Sequence, residues 1–208
     1  MRSAAAWLLG ALTTGILVSI TAGCGSAVTG LATGDPLHDL IGIYQIVVAN
    51  FAVSTAAAHV DATTLAAGDA AVAAALTHDG LQSAASVEYQ RAIDFSTSNG
   101  PLDIVSTVEH FSSVTGATSA YHTGVQQLDA MSGATPTSTG RLGDAAHSIS
   151  VVRTTTGGLQ AVEIDVIWRV GNLVNIVIAR GRYGGTRLND ALVLAAIQTQ
   201  NETGPPSA

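Results

Sequence analysis

Aromatic and arginine side chains fall in two strand-like stretches and in a glycine-rich loop, and they could together form a binding pocket. They are Tyr89, Arg91, Trp168, Arg169, Arg182 and Tyr183. Aromatic rings beside guanidinium groups can hold a flat or anionic ligand. Alternatively, Tyr89 and Trp168 belong to the core and the arginines lie on exposed strand edges. The fold decides between the two, because only it can bring these residues together.

The sequence contains no recognisable catalytic, metal-binding or phosphate-binding motif. Its six histidines are scattered, and none forms the i, i+4 pair of a zinc-binding helix. The closest approach to a ligand pair is Asp144-x-x-His147. There is no Gly-x-Ser-x-Gly motif, and the glycine-rich Gly181–Gly185 lacks the lysine of a phosphate loop. We therefore predict no catalytic residue, no metal and no cofactor.

Six carboxylates lie within or beside the predicted strands and could in principle converge as catalytic pairs. They are Glu88, Asp94, Asp103, Glu109, Glu163 and Asp165. They fall on alternating strand positions, which favours solvated strand faces as their location. We therefore expect these side chains to lie in water.

A different chemistry, covalent lipidation, is indicated at Cys24, the only cysteine of the chain. Met1-Arg2 provides a positive start, and an apolar run without charge extends from Ala4 to Ile20. Thr21, Ala22 and Gly23 are small, as a signal peptidase site requires. This segment resembles the bacterial lipobox, in which the residue after the cut is an obligatory cysteine. Thr21 departs from the leucine that the lipobox prefers three residues before that cysteine.

The resemblance implies cleavage before Cys24 and a diacylglyceryl anchor, with palmitate-type acylation, on the outer face of the cell membrane. Several acyl chains anchor a protein stably without a second signal. Two alternatives remain, an uncleaved membrane helix and a plain secreted protein. Spanning a bilayer takes about 20 apolar residues, and the apolar run is at that lower limit.

Composition limits what the rest of the chain can bind. Cleavage leaves 208 − 23 = 185 residues, enough for one domain with its own core. All basic residues are arginine, and without Arg2 seven of them face 15 acidic residues. An acidic chain without lysine repels phosphate backbones, so we predict no nucleic-acid partner. With Cys24 acylated, no disulfide can form.

The order of predicted elements indicates an α+β fold, in which helices pack on an antiparallel sheet. Asp35-Pro36 is a helix-start signal, and apolar residues from Leu37 to Phe51 follow at helical spacing. Residues 36–51 are also rich in β-branched side chains and could form a strand. The other helices are predicted at 70–78, 114–128 and 190–201. Strands are predicted at 86–95, 102–111, 146–153, 163–170 and 173–180. Gly133 to Gly140 is predicted as a polar loop.

Gly171-Asn172 is a strong two-residue hairpin signal. A tight turn there, with Gly171 at positive φ, pairs Val170 with Leu173, Trp168 with Asn175, Val166 with Val177 and Glu163 with Arg180. Both faces of this hairpin are apolar, which predicts a sheet covered on each side.

The predicted domains are a signal peptide (1–23), a lipidated cysteine with a flexible tether (24–34), one α+β domain (35–203) and a disordered tail (204–208). Residues from about Ala66 to Gln200 resemble the PsbP-like proteins and the sensor-type extracellular domains of actinobacterial lipoproteins and receptor kinases. The likeness is carried by Tyr89-Gln90-Arg91, Val108 to Phe111, Gly116-Ala117, Leu142-Gly143-Asp144 and Trp168 to Val174.

That resemblance implies a PsbP-like α/β sandwich but no single activity. We therefore predict a lipid-anchored, extracytoplasmic domain that binds an unknown protein or small molecule without catalysis. A cell-envelope hydrolase and a structural envelope component are the alternatives. A deep polar cleft with perturbed titratable groups would favour the enzyme, and a shallow apolar groove would favour binding.

Overall fold

A computed structural model describes residues 31–203 of the chain. The predicted signal peptide, Cys24, most of the predicted tether and the predicted tail lie outside these residues. The strands are β1 (Phe51–His59), β2 (Leu81–Arg91), β3 (Asp103–Phe111), β4 (Ala134–Thr137), β5 (Ala145–Thr154), β6 (Gln160–Val170) and β7 (Leu173–Arg182). The helices are α1 (Ala62–Leu65), α2 (Ala70–His78), α3 (Val114–Asp129) and α4 (Leu188–Thr203).

All seven strands form one antiparallel sheet in the order β1-β2-β3-β7-β6-β5-β4. The hairpin β6–β7 therefore occupies the centre of the sheet, and both of its strands are mostly buried. This architecture confirms the predicted α+β fold with an antiparallel sheet packed by helices.

The register of the central hairpin confirms all four predicted pairs, from Val170 opposite Leu173 to Glu163 opposite Arg180. Gly171 has φ 57°, the left-handed conformation that the prediction required. Only a residue without a Cβ adopts that conformation at no steric cost, so the Gly-Asn pair accounts for the tightness of the turn.

Each face of the sheet carries its own apolar core. One face, the α4 face, packs Val166, Trp168 and Val177 against α4 and the chain before β1. On the other, the α3 face, Phe111 and Ile167 pack against α3. Helix α3 extends over only part of that face, so the prediction of a sheet covered on both sides is right for the first face and incomplete for the second.

The prediction of a helix over residues 36–51 is wrong, because this segment forms two short 3-10 turns, Pro36–His38 and Ile43–Gln45. Side chains of the folded domain bind its backbone in place of helical hydrogen bonds. Ser106 Oγ accepts from Ile41 N at 3.2 Å, Tyr89 Oη donates to Ile41 O at 2.6 Å, and Asn201 Nδ2 donates to Leu40 O at 2.8 Å. Tertiary contacts thus override a weak local helical pattern.

Three elements were not predicted. Strand β1 begins at Phe51, within the segment predicted as helix, and is almost wholly exposed. Helix α1 is a single turn, and β4 lies in the region predicted as a polar loop. The two strands form the edges of the sheet, where one row of backbone groups is unpaired. Edge strands rich in small or polar residues carry little hydrophobic periodicity, so the sequence pattern cannot reveal them.

The β6–β7 turn also holds the chain ahead of the domain. Asn172 is buried, and its Oδ1 accepts from Ala32 N at 2.7 Å. Its Nδ2 donates to Ala32 O at 3.1 Å and to Phe111 O at 2.8 Å. Ala32 was predicted to belong to a flexible tether, yet both of its backbone polar groups are hydrogen bonded to the turn.

Candidate functional site

A groove lies on the α3 face, over the part of the sheet that α3 leaves uncovered, and has a volume of about 200 Å³. We call it the sheet groove. Inward-facing residues of the central strands contribute Val105, Thr107 and Glu109 from β3, Glu163 and Asp165 from β6, and Ile176, Ile178 and Arg180 from β7. The remaining wall includes Thr55, Ala56 and Ala58 of β1, Val60, Thr64, Leu65, Ser86, Glu88 and Met131.

The sequence explains why space remains here. The β1 residues that line the groove, Thr55, Ala56 and Ala58, have small side chains. Helix α3 instead meets larger partners nearer the β6–β7 turn, among them Phe111 and Ile167. Small side chains at one edge and a helix that extends only partway leave a mostly apolar recess between them, as binding sites for small molecules commonly have.

Glu109 is a buried carboxyl in this groove, with 6% of its surface exposed. Across the sheet it lies between Ala84 of β2 and Val174 of β7, neither of which can pair with an acid. No hydrogen bond or ion pair reaches its carboxyl from within residues 31–203. Burial raises the pKa of Glu109 to about 7, because an apolar environment disfavours the charged form.

Asp165 is buried on the same face, with 2% of its surface exposed. Its cross-strand neighbours are Ile149 of β5 and Ile178 of β7. One of its oxygens, Oδ1, is inaccessible and lacks a hydrogen-bond partner among the described residues. Burial, reinforced by the nearby Glu163 charge, raises the pKa of Asp165 to about 8, although Arg180 and Arg153 oppose the shift.

Arg180 is held by two carboxylates. Its Nη1 donates to Asp103 Oδ1 at 3.0 Å and its Nε to Glu163 Oε2. The pair with Glu163 is the cross-strand ion pair predicted from the hairpin register. Burial raises the pKa of Asp103 to about 6 against the opposing effect of Arg180. With two acids bound, the guanidinium is not a free clamp for an anionic ligand.

The expectation that the strand carboxylates lie in water is therefore wrong for Glu109 and Asp165. Asp165 lies between Ile164 and Val166 in a strand whose two faces are apolar. This sequence context indicated that the Asp165 side chain would be buried. Asp94 is exposed to water, as expected. It caps a 3-10 turn by accepting from Ser96 N at 2.7 Å.

None of the six candidate pocket residues lines the sheet groove, and they do not come together as one cluster. Arg182 Nε donates to Ser98 O at 3.0 Å. Tyr89 and Trp168 are buried in the core of the α4 face. Arg91 Nη1 donates to Asn99 O at 2.9 Å, and its guanidinium lies over Phe51. Arg169 pairs with Asp144 at 3.1 Å. Tyr183 is 53% exposed in the connection to α4.

Asp144 and His147, which the sequence offered as a possible pair of metal ligands, each bind a different residue. Asp144 accepts from Gly171 N at 2.8 Å, and His147 pairs with Asp129 at 2.8 Å, so the two do not share a ligand. Over residues 31–203 no group of three or more potential metal ligands occurs. Among the described residues, the groove is lined by hydroxyl groups, acids and one arginine but not by histidine. This arrangement can bind a polar group among apolar walls.

The helices between residues 31 and 203 are all too short or too polar to cross a bilayer.

No protein-family model matches this sequence, and no curated protein matches it either. Among solved structures, the extracellular domain of PknH from Mycobacterium tuberculosis is similar, with a TM-score of 0.50 at 11% sequence identity. The similarity covers 79% of this chain and 93% of that one. At so low an identity the two chains share a fold, and the fold does not carry an activity with it.

Proposed function

We propose that this protein is an extracytoplasmic, sensor-type domain that binds a small, largely apolar molecule in the sheet groove without chemical conversion. The single observation that supports the proposal most is the groove itself, an apolar recess with a buried carboxyl at Glu109 and another at Asp165. Apolar walls with a few fixed polar groups are the usual design of a small-molecule site. The fold shared with an extracellular domain is compatible with a location outside the cytoplasm.

The groove can be tested with n-hexanol, a neutral probe with an apolar chain. We expect saturable shifts of amide NMR signals at groove residues such as Thr107 and Ile176. Val105→Phe should fill the recess and weaken the interaction by about tenfold, or about 1.4 kcal/mol. The matched control is Val152→Phe, because Val152 is an exposed strand residue that does not line the groove. Shifts that are unsaturable, or unaffected by Val105→Phe, would refute the proposal.

We propose further that a lipid on Cys24 holds the domain at the outer face of the cell membrane. The support is the lone cysteine after a charged start, an apolar run and three small residues. Cys24→Ser should abolish labelling by a metabolically incorporated fatty acid and leave the protein released or unprocessed. Undiminished labelling of the variant would rule out this anchor.

A further inference from the structure

We propose that the sheet groove selects a molecule with one ammonium group on a small apolar body, and that Glu109 binds the ammonium. This inference rests on the proposed function, since it specifies the ligand class of the same groove. It also identifies Glu109 as the residue that determines specificity.

Glu109 has an unused capacity to accept hydrogen bonds. A carboxyl accepts several hydrogen bonds, and this one accepts none from within residues 31–203. Burying a polar group without hydrogen-bond partners is unfavourable, because the group loses its hydrogen bonds to water. Glu109 lines an open groove, so a ligand that supplies a donor would relieve that cost at a point where residues 31–203 supply none.

The residues around the groove favour a positively charged ligand. The ionisable residues that line the groove are Glu88, Glu109, Glu163, Asp165 and Arg180, four acids against one base. Arg180, the one cation among them, is already paired with Glu163 and with Asp103 beside the groove. The wall therefore carries an excess of negative charge, which attracts a cation and repels a carboxylate or phosphate.

The separation of the two buried acids favours a ligand with a single positive charge. Glu109 of β3 lies beside Val174 of β7, and Val174 in turn lies beside Arg169 of β6. Asp165 precedes Arg169 by four residues on β6. Two strand spacings and four residues separate these backbone positions by roughly 16 Å. The two buried acids cannot hold one ion together. A single ammonium at Glu109 fits this geometry, with the apolar body on Thr107, Ile176 and Ile178.

The experiment compares three six-carbon probes with different head groups: n-hexylammonium, n-hexanol and hexanoate. At pH 8 hexylammonium should bind about tenfold or more tighter than hexanol, and hexanoate should bind more weakly than either, as measured by the same NMR titration. Glu109→Gln keeps the shape of the side chain and should reduce the preference for hexylammonium over hexanol to about twofold or less. Glu88→Gln, a change of the same kind elsewhere in the groove, should leave most of the preference intact.

The pH dependence provides a second readout that a merely structural role would not produce. Hexylammonium keeps its charge across this range, whereas Glu109 becomes mostly protonated below pH 6. Its preference over hexanol should therefore fall several-fold from pH 8 to pH 5.5 in the natural protein and in Glu88→Gln. Glu109→Gln should show a much smaller change, caused by the two other acids near the groove whose pKa values are raised, Asp165 and Asp103.

Each outcome discriminates. If hexanol binds in the groove but hexylammonium has no advantage, the groove is a binding site and the ammonium inference is wrong. If the advantage persists in Glu109→Gln and disappears in Glu88→Gln, a different acid binds the ammonium and the assignment to Glu109 is wrong. If no probe shifts the groove signals, the proposed function fails together with the inference.

Discussion

Replacing Trp168 by alanine is expected to lower the free energy of unfolding by about 3–5 kcal/mol. Trp168 is fully buried and is among the largest side chains of the core on the α4 face. Its loss leaves a cavity on a central strand that cannot collapse easily. Typical domains have about 5–15 kcal/mol of total stability, so chemical denaturation should show that the variant retains only a small part of its folding free energy.

The control is Tyr183→Ala, which removes another aromatic ring from an exposed position and should cost less than about 1 kcal/mol. In the natural protein lacking residues 1–23, Trp168 is the only tryptophan. Its emission should therefore be blue-shifted and resistant to soluble quenchers. A nearly neutral Trp168→Ala, or a red-shifted and readily quenched emission, would contradict a core position.

The second large effect is a loss of stability as the pH rises from about 4 to about 8. Burial raises the pKa of Glu109 from 4.5 to about 7 and is the main cause that raises that of Asp165 from 3.8 to about 8. Between the unfolded and folded pKa values, the folded chain keeps protons that the unfolded chain has released. Stability from these groups is thus full below pH 4 and is lost by about pH 8.

For Glu109 the loss is on the order of 3 kcal/mol, since each unit of pKa corresponds to 1.36 kcal/mol. Glu202 and Asp103 have raised pKa values as well and act in the same direction. Comparing Glu109→Gln with the natural protein in urea melts at several pH values isolates the Glu109 contribution. The variant should lose less stability between pH 5 and pH 8. Glu88→Gln should follow the natural protein except for a smaller contribution from Asp103, because Glu88 helps to raise the pKa of Asp103. Identical pH profiles for the natural protein and Glu109→Gln would contradict the assignment.

The central hairpin could be predicted from the sequence because its information is local. Gly171-Asn172 defines the turn, and the turn determines which residues of β6 and β7 face each other. Helix α2 was equally accessible, since Asp69 caps it and Gly80 follows its end; the structure has the predicted bounds of 70–78.

The rest depends on contacts between residues far apart in the chain. Residues 36–51 do not form a helix because Ser106, Tyr89 and Asn201 bind their backbone, and nothing in the local pattern announces these partners. The groove was missed for a similar reason. Alternation placed Glu109 and Asp165 on a strand face, but their burial follows from the neighbouring strands. The aromatic and arginine residues do not form the predicted pocket. Trp168 and Arg169, for example, are adjacent in a strand, so their side chains point to opposite faces of the sheet.

The hydrogen bonds between Asn172 and Ala32 have a bearing on how the molecule would stand on a membrane. If Cys24 carries the lipid, only residues 25–31 separate it from Ala32, a chain of at most about 28 Å. The β6–β7 turn would then be the part of the domain nearest the membrane. Glu109 lies near that turn, beside Val174, whereas Arg180 follows Val174 by six residues in β7, about 20 Å farther from the turn. An amphiphilic molecule leaving the lipid surface would thus reach the level of the unpaired carboxyl before that of the paired arginine.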